Sequence, residues 1–272
     1  MGDSRPIGVF DSGLGGLTVV KELCRYMPNE DIIYFGDTGR VPYGTRSRDT
    51  IRRYAREDEE FLLKQNVKLI IAACGTVSSV AADVSAQLPI PFFEVVSHAA
   101  EEAVKATKNG KIGIIGTAAT INSGKHKEHI LKLMPEAQVT AQSCSLFVPL
   151  VEEGWYGEDD VVVAETVRRY LEPLIDAGVD TLILGCTHYP VLSRAITKVM
   201  GENVTLINAG VATAKAVLEF LKSKNMLNSS SKIGEARFFV SDKPDSFRLQ
   251  ASVLLGDEID DSKVEQVSLS TI

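Results

Sequence analysis

The sequence predicts an α/β protein: two pseudo-symmetric domains, each built on a parallel sheet, with the active site in the cleft between them. Three observations carry this expectation. Short β-rich apolar runs alternate with helix-like stretches, the pattern of parallel strands joined by helical crossovers. The segment Ile7-Gly8-Val9-Phe10-Asp11-Ser12-Gly13 is echoed half a chain later by Ile112-Gly113-Ile114-Ile115-Gly116-Thr117-Ala118. Two cysteines each close an apolar run and precede small or hydroxyl residues, in Leu69-Ile70-Ile71-Ala72-Ala73-Cys74-Gly75-Thr76 and in Thr181-Leu182-Ile183-Leu184-Gly185-Cys186-Thr187-His188. One thiol at the end of a buried strand in each of two matching halves suggests an enzyme that sets one sulfur on each face of a substrate. That is the geometry of stereochemical inversion.

Taken in order, the expected strands are Ile7 to Phe10, Asp31 to Phe35, Leu69 to Ala73, Phe92 to Val96, Lys111 to Ile115, Ala137 to Gln142, Thr181 to Leu184, Val204 to Ile207 and Arg237 to Val240. Gly13-Leu14-Gly15-Gly16 after the first strand reads as a tight strand-to-helix turn. It is not a dinucleotide fingerprint, because Thr18 stands at the third glycine position of G-x-G-x-x-G. Pro190 marks a helix start, since its missing N–H would be unpaired in a first turn anyway. The repeat divides the chain into a first domain of residues 1–98 plus 208–272 and a second of residues 99–207. Asn228-Ser229-Ser230-Ser231 is expected to be a mobile loop, and Asp257 to Asp261 a solvated acidic turn.

With 272 residues, 44% of them apolar and 24% charged, the chain has the make-up of an ordinary globular protein. A net charge of −7 without a basic cluster argues against a nucleic-acid partner. No apolar run approaches the roughly 20 residues of a membrane helix, which argues against a membrane partner. The N-terminus, with Asp3 and Arg5, has no signal-peptide core, and Pro6 breaks the pattern that myristoylation of Gly2 would need. A cytoplasmic protein is expected. Four cysteines without a Cys-x-x-Cys pair match neither a disulfide framework nor a zinc ribbon.

In parallel sheets ligands sit beyond the carboxyl ends of the strands, where Cys74 and Cys186 are expected. An unperturbed thiol is only about 3% thiolate at pH 7, so a base made from one needs help. A helix starting just after each cysteine would lower its pKa and offer N–H donors to a substrate carboxylate. Asp11 closes the first strand in the same layer, where it could take a hydrogen bond from a substrate ammonium, orient a thiol or simply cap a helix. His188, two residues beyond Cys186, shares a face with it in an extended segment and could exchange a proton with the sulfur or the substrate. The spacing of Asp11, Cys74, Cys186 and His188 matches no common zinc pattern, so no metal is expected. Gly36-Asp37-Thr38 and Pro42-Tyr43-Gly44 look like further loop contacts at the same end.

Together with Phe147-Val148-Pro149-Leu150-Val151-Glu152 and Leu184-Gly185-Cys186-Thr187-His188-Tyr189-Pro190, these segments resemble the glutamate racemase family of the cofactor-independent aspartate/glutamate racemase superfamily, almost end to end. The resemblance implies that Cys74 and Cys186 abstract and return the α-proton of glutamate from opposite faces, without a cofactor. Asp11 would assist Cys74, and Glu152 with His188 would assist Cys186. It further implies substrate contacts at Asp11, Ser12, Tyr43, Gly44, Gly75, Thr76, Thr187 and His188. A homodimer and a supply of D-glutamate to peptidoglycan are also implied. The chain departs from the family pattern where Cys-Asn-Thr reads Cys74-Gly75-Thr76, which removes a side-chain amide and leaves a backbone N–H. Glu94 and His98 replace a usual glycine and proline, and Asn208 a usual aspartate.

Three other readings compete with this one. A cysteine hydrolase or amidase would use Cys186 as nucleophile and His188 as base, leaving Cys74 without a task. A related racemase, isomerase or decarboxylase would act on another small acid such as aspartate. A binding module that performs no reaction would leave both thiols unused.

Overall fold

A computed structural model describes residues 2–255, 260 and 263–269. Its ten strands are β1 (Ile7–Asp11), β2 (Ile32–Gly36), β3 (Leu69–Ala72), β4 (Phe92–Glu94), β5 (Lys111–Gly116), β6 (Gln138–Ser143), β7 (Thr181–Leu184), β8 (Thr205–Asn208), β9 (Ala236–Val240) and β10 (Val264–Gln266). They form two sheets, ordered β10-β9-β2-β1-β3-β4 and β6-β5-β7-β8. Every strand pair is parallel. The second sheet therefore repeats the 2-1-3-4 order of the first, to which β9 and β10 are added at the β2 edge. Ile7 of β1 lies level with Leu69 of β3, and Ile112 of β5 level with Thr181 of β7. In each sheet the strand order reverses between these two neighbours, the place where ligands bind in open α/β sheets.

The central strands are buried on both faces, which is why they read as unbroken apolar runs: every residue of β1, β2, β3 and β7 is buried. Three helices join the sheets: α1 (Leu17–Tyr26), α5 (Val95–Ala106) and α11 (Ala209–Ser223). Leu17, Val20, Ala99, Ala103, Ala214 and Val217 on these helices share one continuous core with Ile7 and Ile71 of the first sheet and Ile114 and Ile183 of the second. Alanines along α5 let it approach both layers closely. No helix among the described residues is long and apolar enough to cross a membrane.

Local chemistry corrects the expected boundaries. Strand β4 stops at Glu94 because the Glu94 carboxylate accepts the N–H groups of Val96 and Ser97 and so caps α5, turning the expected strand residues Val95 and Val96 into a helix start. Asn228 to Ser231 is tied down rather than mobile. The Asn228 N–H donates to Glu30 Oε1 at 2.8 Å, and Asn29 Nδ2 donates to the Ser230 carbonyl at 2.7 Å. Glu30 is itself buried against Lys68 at 2.5 Å, a pair whose side chains are 2% and 0% exposed, as deeply buried as the core. The three-residue β10 went unforeseen, and the acidic turn expected at 257–261 lies outside the described residues apart from exposed Asp260.

Candidate active site

Strand β1 ends on Asp11, and β3 delivers Cys74 to the N-cap of a short helix, α3 (Gly75–Val80). The Cys74 sulfur lies 3.6 Å from the Ser12 hydroxyl and is buried. Buried Asp11 accepts the Gly13 N–H at 3.0 Å, and α1 is capped by Gly16, so Asp11 is not a helix cap. Burial pushes the Asp11 carboxyl up, opposed by the His188 charge and by the N–H groups of Gly13, Gly16 and Ser12. The Cys74 thiol is pushed up to about 12, first by burial and then by Asp11. This reverses the expected lowering: a helix of six residues offers too little positive charge to offset the loss of water.

Strand β7 delivers Cys186 in the same way, one glycine past its end. The Cys186 sulfur is 3.8 Å from His188 Nδ1. His188 Nε2 lies 3.4 Å from Oε1 of Glu152, the last residue of α8 (Phe147–Glu152), an electrostatic contact rather than an aligned hydrogen bond. Burial alone would lower the imidazole, but Cys186, Glu152 and Asp11 overcome it and raise the ring to about 10. No α-helix begins right after Cys186. The chain makes a 3₁₀ turn at Tyr189–Leu192 with Pro190 in its first positions, before α10 (Ser193–Met200). The positive partner of the second sulfur is therefore an imidazolium.

The two halves touch at the cysteines. Thr18 Oγ1 donates to the Thr187 carbonyl at 3.0 Å, and Thr76 Oγ1 lies 3.2 Å from Thr117 Oγ1. A β-carbon added to Gly75 would sit 2.5 Å from the Gly185 carbonyl oxygen, and one added to Gly15 would sit 2.0 Å from Thr187 Oγ1. A small cavity lined by Thr18, Gly75, Val95, Cys186 and Asn208 lies between the halves. Asp11 and His188, from opposite halves, are close enough to influence each other's charge.

Gly44 faces the second half, since a β-carbon there would meet the Thr117 side chain at 3.4 Å. The Tyr43 hydroxyl is already occupied: it lies within hydrogen-bonding distance of Asp37 and of Asp58 in α2 (Arg48–Lys64). What this turn has free to offer a ligand is backbone. Thr18, Thr117 and Asp58 were not singled out from sequence as site residues. The repeat could have found Thr117, because it aligns with Ser12, and Asp58 stands on the same helical stripe as buried Ile51, Ala55 and Leu62. Behind Gly185 lies buried His126, with neither ring nitrogen hydrogen-bonded and its pKa pushed down to about 4 by burial. No three His, Cys, Asp or Glu side chains among the described residues are grouped to hold a metal ion.

The chain is similar to known proteins along nearly its whole length. Residues 8–217 match the family described as Asp/Glu/Hydantoin racemase. The chain is 46% identical to the glutamate racemase of Geobacter metallireducens over 266 residues, 97% of each chain. It is 44% identical to that of Syntrophus aciditrophicus over 265 residues, again 97% of each. Among solved structures it is similar to the glutamate racemase of Francisella tularensis in complex with D-glutamate, with a TM-score of 0.91 and 40% identity over 99% of this chain and 100% of that one. The Thermus thermophilus glutamate racemase in complex with β-chloro-D-alanine gives 0.88 and 42%, covering all of both chains.

Proposed function

We propose that this chain, which belongs to the Asp/Glu/Hydantoin racemase family, interconverts L- and D-glutamate by a two-base proton transfer between Cys74 and Cys186. The observation that carries the reading is the meeting of two half-sites, each with a thiol just past the end of a parallel strand. Asp11 and Ser12 accompany one thiol, and His188 with Glu152 the other.

The α-proton of an amino acid is weakly acidic, so its removal needs a base together with donors around the carboxylate that takes up the charge. In the L-to-D direction Cys186 is the base, and the His188 imidazolium, steadied by Glu152, supplies the counter-charge for its sulfur. Cys74, protonated at neutral pH, returns a proton to the opposite face. In the reverse direction the roles exchange, and Asp11 is the neighbouring carboxylate that assists Cys74. Backbone N–H groups at Gly75 and Thr76, with Thr187, face the substrate carboxylate. Asp11 and Ser12 face its ammonium, and the Tyr43–Gly44 turn contributes backbone. Residues 1–98 with 208–272, and 99–207, form the two lobes of this site. The protein works in the cytoplasm as a homodimer and supplies D-glutamate for peptidoglycan.

Circular dichroism of purified protein with L-glutamate, D-glutamate and L-aspartate tests the reading. Optical activity should decay from either glutamate enantiomer, and the decay should continue under exhaustive chelation and without added cofactor. Cys74→Ser and Cys186→Ser should each abolish the decay while leaving the fold intact. Ordinary turnover of both enantiomers by Cys74→Ser would defeat the two-thiol mechanism and return Cys186 with His188 as the leading pair.

A further inference from the structure

Beside the cleft lies a buried polar cluster to which the reaction gives no task. Asp37 and Asp58 are both fully buried, and both reach the Tyr43 hydroxyl, Asp58 Oδ2 at 3.0 Å. Arg40 bridges them, its Nε donating to Asp37 Oδ2 and its Nη2 to Asp58 Oδ1 at 3.1 Å, while its Nη1 reaches Glu57. Ser241 Oγ, just past β9, donates to Asp37 Oδ1 at 2.7 Å and accepts the Gly39 N–H at 2.8 Å. The Arg40 guanidinium also lies 4.0 Å from the Tyr54 ring centroid, and Tyr54 packs on Tyr43.

Counting protons gives the cluster its meaning. A phenol has one proton to donate, so Tyr43 can serve only one of two carboxylates. If both were ionised, the other would hold a lone pair against the phenol oxygen in a dry site, which is costly. The contacts are satisfied when Asp58 carries a proton: its O–H donates to Tyr43, Tyr43 donates to Asp37, and Asp37 also accepts from Arg40 and Ser241. Burial and the Asp37 charge both push Asp58 up, against the pull of Arg40.

We propose that Asp58, protonated and linked through Tyr43 to Asp37, is a positioning residue for the racemase reaction. It holds the Tyr43–Gly44 turn against Thr117 and so governs how tightly substrate is bound. The inference rests on the reading of that turn as part of the glutamate site. On its own side of the cleft the segment leading into the turn is equally close-packed, since a β-carbon on Gly13 would meet the Val41 side chain at 2.8 Å. When Asp58 loses its proton, its charge faces Asp37 and Glu57 with Arg40 as the shared cation, and the turn is released. The thiols are not displaced, so the loss falls on substrate binding.

The test is the dependence of KM and kcat on pH for the full-length wild type, Asp58→Asn, Asp58→Ala and Tyr43→Phe. An asparagine amide can still donate to Tyr43 and accept from Arg40 but cannot ionise. The wild type should show a rise in KM at alkaline pH, whereas Asp58→Asn should keep a near-wild-type KM at neutral pH and lack that rise. Asp58→Ala and Tyr43→Phe should raise KM roughly tenfold, the effect of one lost buried hydrogen bond, with kcat changed by less than about twofold. An alkaline rise in Asp58→Asn equal to that of the wild type, or losses in kcat at unchanged KM, would overturn the inference while leaving the racemase reading intact. Absence of glutamate turnover in the wild type would instead overturn that reading and this inference with it.

Discussion

The α-carbon of Gly75 faces the carbonyl oxygen of Gly185 so closely that a β-carbon built on it would lie 2.5 Å from that oxygen. These residues neighbour Cys74 and Cys186, so the separation of the two thiols is tied to the absence of a side chain at position 75. A backbone carbonyl cannot swing aside as a flexible side chain would. Gly75→Ala must therefore move the two lobes apart by several tenths of an ångström.

Misplacement of reacting groups by about 1 Å can cost a hundredfold, so kcat/KM of Gly75→Ala should fall on the order of tenfold in both directions. The thermal unfolding midpoint should stay close to wild type, because the collision lies across the cleft. Steady-state kinetics with each enantiomer check this. Unchanged kcat/KM would mean that closure does not depend on this contact.

His188 sets an alkaline limit on stability. Its folded pKa, about 10, lies above the unfolded value near 6.5, so between these values the folded protein holds a proton that the unfolded chain has released. The stabilisation is fully present below pH 6.5 and is lost as pH rises through 10, with a slope of at most about 1.4 kcal/mol per pH unit. Urea unfolding of wild type and His188→Gln across pH 6.5 to 10 should show the wild-type advantage shrinking upward. Parallel curves would contradict the pairing of His188 with Cys186 and Glu152.

Much of this arrangement was legible in the sequence. Cys74 and Cys186 could be placed at strand ends because a strand buried on both faces leaves a continuous apolar run that stops where the backbone meets the cleft. The internal repeat announced that the two halves share one plan and aligned Ser12 with Thr117, while the strand order itself came from the structure. The occupation of the Tyr43 hydroxyl was hidden, because Asp58 sits fifteen residues away on a helix and a lone carboxylate on an apolar stripe says nothing of its partner. The tethering of Asn228 to Ser231 was hidden for the same reason. A polar, serine-rich run reads as loose until Glu30, held in place by Lys68, is known to meet it. Nor could sequence tell that burial would outweigh a short helix at Cys74.

The Lys68–Glu30 pair separates stability from catalysis. Lys68 Nζ also donates to the carbonyls of Asp3 and Met226, so one cation ties the N-terminal segment, the start of β3 and the chain after α11. All of this lies at the end of the sheet opposite Cys74. Lys68→Met strands a buried carboxylate and should destabilise by about 3–5 kcal/mol in urea unfolding, while kcat of the folded fraction stays near wild type. Replacing Glu30 by Leu in the same chain should restore part of the loss. A loss of kcat without loss of stability would contradict this division.

The central claim is that two thiols act from opposite faces of one α-carbon, and the fate of the α-hydrogen in D₂O tests it most directly. L-glutamate is converted to a small extent, and the enantiomers are separated and weighed by mass spectrometry. Two-base transfer through Cys186 and Cys74 requires that the D-glutamate formed carry deuterium at the α-carbon while the remaining L-glutamate keeps protium, with the mirror result from D-glutamate. D-glutamate that retains the original protium, or equal early labelling of both pools, would show that a single group serves both faces and would contradict the account.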